Sequence, residues 1–195
     1  GSRVDAWGGP DAGRDDFSPL QQAMAYTMSA FLTTGGIRGG QGDSKNFQPR
    51  SFNMGVRREV FEKTGGFAVD RYAEDIEWSL RIRKEGFNVQ LINEAFVWHK
   101  RRTNFIQFFK QVKNFGSGRA TISKLHSDTL RLAHWMPTIF SVGLIFLIVI
   151  IYFSPILSTI GFGIYGLYLL AVSTGCFLST KSFLVALLAI PSTLI

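Results

Sequence analysis

The sequence predicts a polar α/β segment of mixed short strands and helices, followed by an amphipathic helix and two to three transmembrane helices. Three observations carry this expectation. Apolar residues are concentrated at the C-terminal end: from Leu132 onward Lys181 is the only Lys, Arg, Asp or Glu, whereas the preceding part mixes charges, glycines and aromatics as a soluble domain does. In that polar part, short helix and strand patterns are punctuated by Gly-Gly pairs. Between the two parts, Phe105, Phe108, Phe109, Val112 and Phe115 recur at helical spacing, with Lys110, Lys113 and Asn114 on other faces. The expected divisions are therefore 1–102, 103–131 and 132–195.

Taken in order, Trp7 to Asp16 is rich in Gly, Pro and Asp and reads as a loop. Ser18-Pro19-Leu20-Gln21 is a helix start, with Ser at the N-cap, Pro at the first helical position and Gln at the third. That helix is expected to run to about Thr34 and to end in Gly35-Gly36. Gly35 to Pro49 holds five glycines and no apolar periodicity; it reads either as a loop closing over a ligand or as a solvated connector. Arg57 to Thr64 forms a short helix stopped by Gly65-Gly66, and Glu74 to Glu85 a second one stopped by Gly86. Asn88 to Ile92 and Ala95 to His99 read as short strands. The aromatic helix around Phe105 to Phe115 lies either along a membrane surface or in the core of the polar domain, because periodicity does not say what its apolar face meets.

In the apolar tail, Met136 to Phe153 and Ile160 to Leu178 are expected to be two membrane spans joined by the uncharged link Ser154 to Thr159. The run Phe183 to Ile195 falls short of the roughly 20 residues a span needs, so the chain is expected to stop inside a third helix. The net charge of +7 is concentrated before the first span, in Lys100, Arg101, Arg102, Lys110, Lys113, Arg119, Lys124 and Arg131. Positive flanks favour the cytoplasmic side, and Lys181 falls on that side if the first two runs cross in turn. The expectation is a multi-pass protein of the cell membrane with its polar segment in the cytoplasm. No helix-turn-helix, zinc-finger or RNP pattern is present, so membrane lipid headgroups or a diphosphate are the expected partners of this charge, and nucleic acid is not. The single cysteine, Cys176, excludes disulfide frameworks and cysteine-ligated zinc.

For chemistry, the residues single out Glu74-Asp75 at a helix start after a glycine turn. Free backbone N–H groups and the helix dipole hold a carboxylate there, so it is either an aimed base or an ordinary acidic first turn. His99, at the end of a strand, is either a metal ligand or a structural residue. Asn53 is either a site residue or a turn former.

The stretch Phe52 to Phe67, with its Asn turn, Arg-led helix and Gly65-Gly66-Phe67, followed by Glu74-Asp75-Ile76-Glu77-Trp78-Ser79-Leu80-Arg81, resembles the C-terminal half of the catalytic domain of family 2 glycosyltransferases. Their pattern is Glu-Asp-x-Asp/Glu-Leu-x-x-Arg, from which this chain departs at Trp78. Gly8-Gly9-Pro10 is similar to the loop after the donor site in membrane-bound members, and Val97 to Arg102 to their strand ending in His and basic residues. Gln111 lies where processive synthases carry Gln-x-x-Arg-Trp; Asn114 and Phe115 replace the Arg and Trp, so the resemblance does not extend to a chain-extruding role.

The resemblance implies a partial GT-A fold, its acceptor-side half, and an inverting transfer of sugar from a nucleotide diphosphate sugar to a lipid-linked or cell-envelope glycan acceptor, as in polysaccharide biosynthesis. It assigns the catalytic base to Asp75 and an orienting role to Glu74. It places Gly8, Gly9, Arg50, Asn53, Trp78, Lys100, Arg101, Arg102, Gln111 and Arg119 around acceptor and diphosphate, and His99 near a divalent metal. That metal, Mg or Mn, is held in the family mainly by an Asp-x-Asp type motif in a nucleotide-binding half. No such half is legible here, so the chain is expected to be a fragment that is inactive alone. The alternative is a non-catalytic membrane protein that binds anionic lipid or a partner through its basic aromatic segment. A transporter subunit is a further option, weakened by spans almost devoid of ionisable residues.

Overall fold

The computed structural model describes residues 3–12, 14, 16–35, 47–69, 72–130 and 132–195, together with the backbone but not the side chain of residue 12. Among these, strands β1 (Ala6–Gly8), β2 (Asp11–Ala12), β3 (Met54–Val56), β4 (Val89–Leu91) and β5 (Val97–Trp98) alternate with helices α1 (Pro19–Ser29), α2 (Phe31–Thr34), α3 (Arg58–Thr64) and α4 (Glu74–Lys84). Then come α5 (Phe105–Leu125), α6 (Met136–Ile150), α7 (Pro155–Thr180) and α8 (Phe183–Leu194). The described chain is mostly helical with a small mixed sheet. The sheet runs β3-β1-β4, β1 pairing antiparallel with β3 and parallel with β4, while β2 and β5 form a separate parallel pair.

Two elements fall where a loop was expected. Between Trp7 and Asp16 the chain forms the end of β1, the central strand of the sheet, and then β2. Strands of three and two residues are too short to show alternation, and their ladder partners lie far along the sequence. The helix starting at Ser18 keeps its capping box with Gln21, but it breaks at Ala30, whose extended backbone separates α1 from α2. The break is supported by Thr33 Oγ1, which donates to the Thr27 carbonyl at 2.6 Å, and Gly35 closes α2 in the left-handed conformation. α3 and α4 end at Gly65 and Gly86, both at positive φ, where the sequence placed their stops. Most of the expected Gly35 to Pro49 loop lies outside the described residues.

The polar core gathers Ala6, Val60, Trp78, Ile82 and Val89, with Met54, Val56 and Phe87 packed against it. Trp78 donates its indole N–H to Thr64 Oγ1 at 2.9 Å and meets the rings of Phe61 and Phe67 edge-on. Next to it, the buried Glu77 carboxylate accepts two hydrogen bonds from Arg81 Nε at 2.7 and 2.9 Å. The same guanidinium donates to the carbonyls of Thr64 and Gly66, locking α4 to the end of α3. His126, just past α5, approaches Glu77 Oε1 at 3.3 Å. α4 is thus held on two sides.

α5 shares the character of both expected helices. Phe108 and Ile122 are buried, and Gly118 packs on Tyr72 and Ala73, whereas Ile106 and Phe109 remain exposed. In the tail, Pro155 begins α7, so the expected link Ser154 to Thr159 is mostly helix. Of the two expected spans, only the second, α7, forms a helix long and apolar enough to cross a membrane, by length and composition; α6 and α8 are shorter apolar helices. α1 leaves the polar domain to pack on this tail: Ala23 joins Cys176, Val185, Ala186 and Ala189 in a second buried cluster, with Tyr26 and Leu188 against it.

Two expected outcomes test this architecture. A Cβ on Gly9 would stand 1.8 Å from the carbonyl oxygen of Ala95, so Gly9→Ala should cost at least about 1–3 kcal/mol as the strand and loop are forced apart, read as a lower melting temperature in detergent. Burial acts to raise the Glu77 carboxyl, but hydrogen bonds from Arg81 and His126 outweigh it and hold the group below its ordinary 4.5. Its stabilising contribution is therefore complete above pH 4.5 and lost as pH falls through the lowered value. Glu77→Ala should lower stability at pH 7 by about 3 kcal/mol and flatten the acid limb of a melting-temperature profile.

Candidate active site

Asp75 sits in the first turn of α4, introduced by Ala73, a non-glycine residue held at φ 65°. A left-handed alanine is strained, and such strain persists only where surrounding contacts enforce it. Here they do. Gly118 of α5 leaves no room beyond its own Cα: a Cβ there would approach the Ala73 Cβ to 2.9 Å. α5 therefore presses on the loop that presents Glu74 and Asp75, and brings the backbone of Arg119, the next residue, to that place.

The Asp75 carboxylate is nearly buried, at 9% exposure. Oδ1 accepts from the Ile76 backbone N–H at 2.8 Å and Oδ2 from that of Ser51 at 3.2 Å, while Arg50 Nη1 lies 3.9 Å from Oδ2. Arg50 and Ser51 belong to a tight turn closed by the Asn53 N–H on the Arg50 carbonyl at 2.7 Å. Asn53 is more than a turn former, since its side-chain amide donates to the Ala95 carbonyl at 2.7 Å and clamps this turn to the segment before β5. Gly8 and Gly9 run against the same two segments. A Cβ on Gly8 would meet the Asn53 carbonyl oxygen at 2.5 Å, so these positions are open only to glycine.

His99 follows β5 and packs on Phe52 at a tilt of 52°, ring centroids 4.4 Å apart. Burial lowers its pKa, and the Arg101 and Arg102 charges push the same way against the opposing pull of Asp11, so the imidazole is held towards its neutral form. Arg101 is buried and donates to Asp11 Oδ2 at 2.6 Å. Burial acts to raise the Asp11 carboxyl, but Arg101 above all, with His99 and Arg50, brings it below the usual range. Lys100 and Arg102 are exposed beside them. Gln111, on α5, has a buried amide oxygen with no hydrogen-bond partner among the described residues, as does the Arg101 Nε.

The structure thus brings Gly8, Gly9, Arg50, Asn53, Asp75, His99 and Arg101 into one set of abutting loops. Trp78 stands apart: at 6% exposure and with its N–H committed to Thr64, it serves the core behind the site and not an acceptor face. Sequence reasoning missed Asp11, the counter-ion of Arg101, and Gly118, whose mid-helix glycine was the one available signal. Among the described residues no group of three or more His, Cys, Asp or Glu side chains could hold a metal ion. Neutral His99 offers a single nitrogen, and the nearby Asp11 is engaged by a guanidinium, so these residues do not by themselves make a divalent-cation site.

No curated protein matches the chain. Residues 52–180, more than half of its length, match the family model described as glycosyl transferase family group 2. The match takes in the Arg50–Asn53 turn from Phe52 onward, α4 with its held carboxylate, the His99 strand, α5 and the apolar helices to the end of α7. The chain belongs to glycosyl transferase family group 2, a family of sugar transferases acting between nucleotide-sugar donors and acceptors.

Proposed function

We propose that the chain is the acceptor-side part of a GT-A type, inverting, membrane-anchored glycosyltransferase, with Asp75 as its base. The observation that carries this is the Asp75 carboxylate, fixed by two backbone N–H groups and Arg50 at the start of α4, behind a strained Ala73. Preorganisation of this kind suits a base that must meet an acceptor hydroxyl in one geometry. As the hydroxyl oxygen bonds to the anomeric carbon, its proton passes to Asp75, and the bond from that carbon to the diphosphate oxygen breaks on the opposite face of the sugar. Glu74, partly exposed next to Asp75, orients the acceptor.

The leaving diphosphate needs cations. Lys100 and Arg102, exposed after β5, and Arg119 on α5 are assigned to it, whereas Arg101 holds the loop through Asp11. Gln111 is assigned to acceptor or diphosphate contact, its amide oxygen suited to accept from a hydroxyl and its NH2 group to donate to a phosphate oxygen. A divalent cation, Mg or Mn, is assigned with the donor nucleotide mainly to a nucleotide-binding half of the kind the family carries, His99 being one candidate imidazole ligand; no step here runs through it. On this reading the chain does not turn over alone.

The proposed organisation is a catalytic part over 1–102, a juxtamembrane helix over 103–131 and membrane helices over 132–195. The length of α7 supports anchoring in the membrane and the basic residues that precede α6 favour a cytoplasmic site, while the multi-pass reading counts the shorter apolar helices α6 and α8 as further spans. That setting favours a lipid-linked or cell-envelope glycan acceptor.

In the complete transferase, assayed by release of nucleoside diphosphate from a panel of nucleotide diphosphate sugars, Asp75→Asn should lower turnover by about 10²–10⁴ with little change in donor KM. Turnover within a few-fold of the parent enzyme would remove Asp75 from the base's role.

A further inference from the structure

α1 and α2 were read from the sequence as part of the polar domain, yet from Phe17 to Gly35 the chain carries no Lys, Arg, Asp, Glu or His. In the fold this stretch leaves the polar core and lies on the apolar helices. Ala23 and Met24 are fully buried, Ala23 in the cluster with Cys176 of α7 and Val185, Ala186 and Ala189 of α8. Tyr26 closes over Gly175, where a Cβ would stand 2.4 Å from its hydroxyl oxygen. At the far end, Tyr168 of α7 donates its hydroxyl to the Leu32 carbonyl at 3.2 Å.

Hydroxyl and amide side chains along the stretch hydrogen-bond within the protein. Thr27, Ser29, Thr33 and Thr34 each donate a hydroxyl to a backbone carbonyl of α1 or its junction with α2, at 3.2, 2.9, 2.6 and 2.9 Å respectively. The Gln21 and Gln22 amides donate to the carbonyls of Arg101 and Phe17. The carbonyl freed at Thr27 by the break is filled by the Thr33 hydroxyl, so the stretch supplies part of its own backbone pairing at the bend. Against that background Phe31, 75% exposed, and Leu32, 50% exposed, stand at the point where the backbone meets Tyr168 of α7.

We propose that α1 and α2 form a membrane-embedded elbow whose tip, Phe31 and Leu32, contacts phospholipid acyl chains. The inference rests on the reading above that α7 crosses the bilayer. The occupant is lipid and not a soluble partner, because the exposed tip is continuous with α7, is uncharged, and presents no side-chain hydrogen-bonding group of its own. The elbow also has a second end: Gln21 donates to the Arg101 carbonyl at 2.7 Å, so a helix about 16 Å long joins the bilayer to the Asp11–Arg101 pair of the site. It sets the height of the site above the lipid.

The test uses the full-length transferase in nanodiscs of phosphatidylcholine, with or without bromine on the acyl chains. Single cysteines at Phe31→Cys, at Ile164→Cys on α7 and at Glu62→Cys on solvent-exposed α3, each in a Cys176→Ala background, carry an environment-sensitive fluorophore. The Phe31 and Ile164 probes should emit to the blue and lose most of their emission in brominated lipid, while the Glu62 probe should not. A quenched Ile164 probe with a Phe31 probe that behaves like Glu62 overturns the elbow and leaves the membrane reading standing. An unquenched Ile164 probe overturns the membrane reading, and the elbow with it.

Discussion

The carboxylate of Glu77 is where the polar domain is tied together. It lies in α4, two residues after Asp75, and is almost fully enclosed. Arg81 grips it with Nε and donates from Nη1 and Nη2 to the carbonyls of Thr64 and Gly66, so one guanidinium pairs a buried charge and the orphaned end of α3 together. His126 reaches the same carboxylate from beyond α5 and is itself 3.0 Å from Lys84 Nζ. Three elements therefore take their positions from one buried charge, and an unpaired carboxylate there would be costly. This cluster holds the helix that carries the proposed base from the side opposite Asp75's own contacts to the Arg50–Asn53 turn.

Around that anchor the site is built by close approach of backbones. Gly8 and Gly9 let the chain after β1 run against the Arg50–Asn53 turn and the segment before β5, and Gly118 lets α5 press on Ala73. Each glycine is a place where a methyl group would collide with backbone or with a Cβ that cannot turn aside. The result is a carboxylate held by amides from its own helix and from a separate turn, next to a ring and guanidinium cluster made by Phe52, His99, Arg101 and Asp11. Geometry of this kind costs little to maintain during a reaction because folding has already ordered it.

The membership in glycosyl transferase family group 2 and the apolar tail bear on each other through α1. One end of this helix touches the loop that holds Arg101 and the other packs between α7 and α8. The loops of the candidate site and the apolar helices are thereby parts of one packed body.

What the sequence determined by itself was local. The Ser18 capping box, the stops at Gly65 and Gly86, the α4 start at Glu74 and the apolar runs of the tail all follow from interactions within a few residues, and all are found. Motif order within the polar segment was also enough to bring out the family. What only the tertiary structure decided depends on partners far apart in the chain. β1 is a strand because β3 and β4 flank it; Trp78 is core because Thr64, Phe61 and Phe67 surround it; Asp11 belongs to the site because Arg101, ninety residues on, neutralises it. The break at Ala30 is partly of this class. Alanine has no local reason to leave a helix; the Thr33 hydroxyl caps the bend and the packing of α1 on α7 and α8 accompanies it.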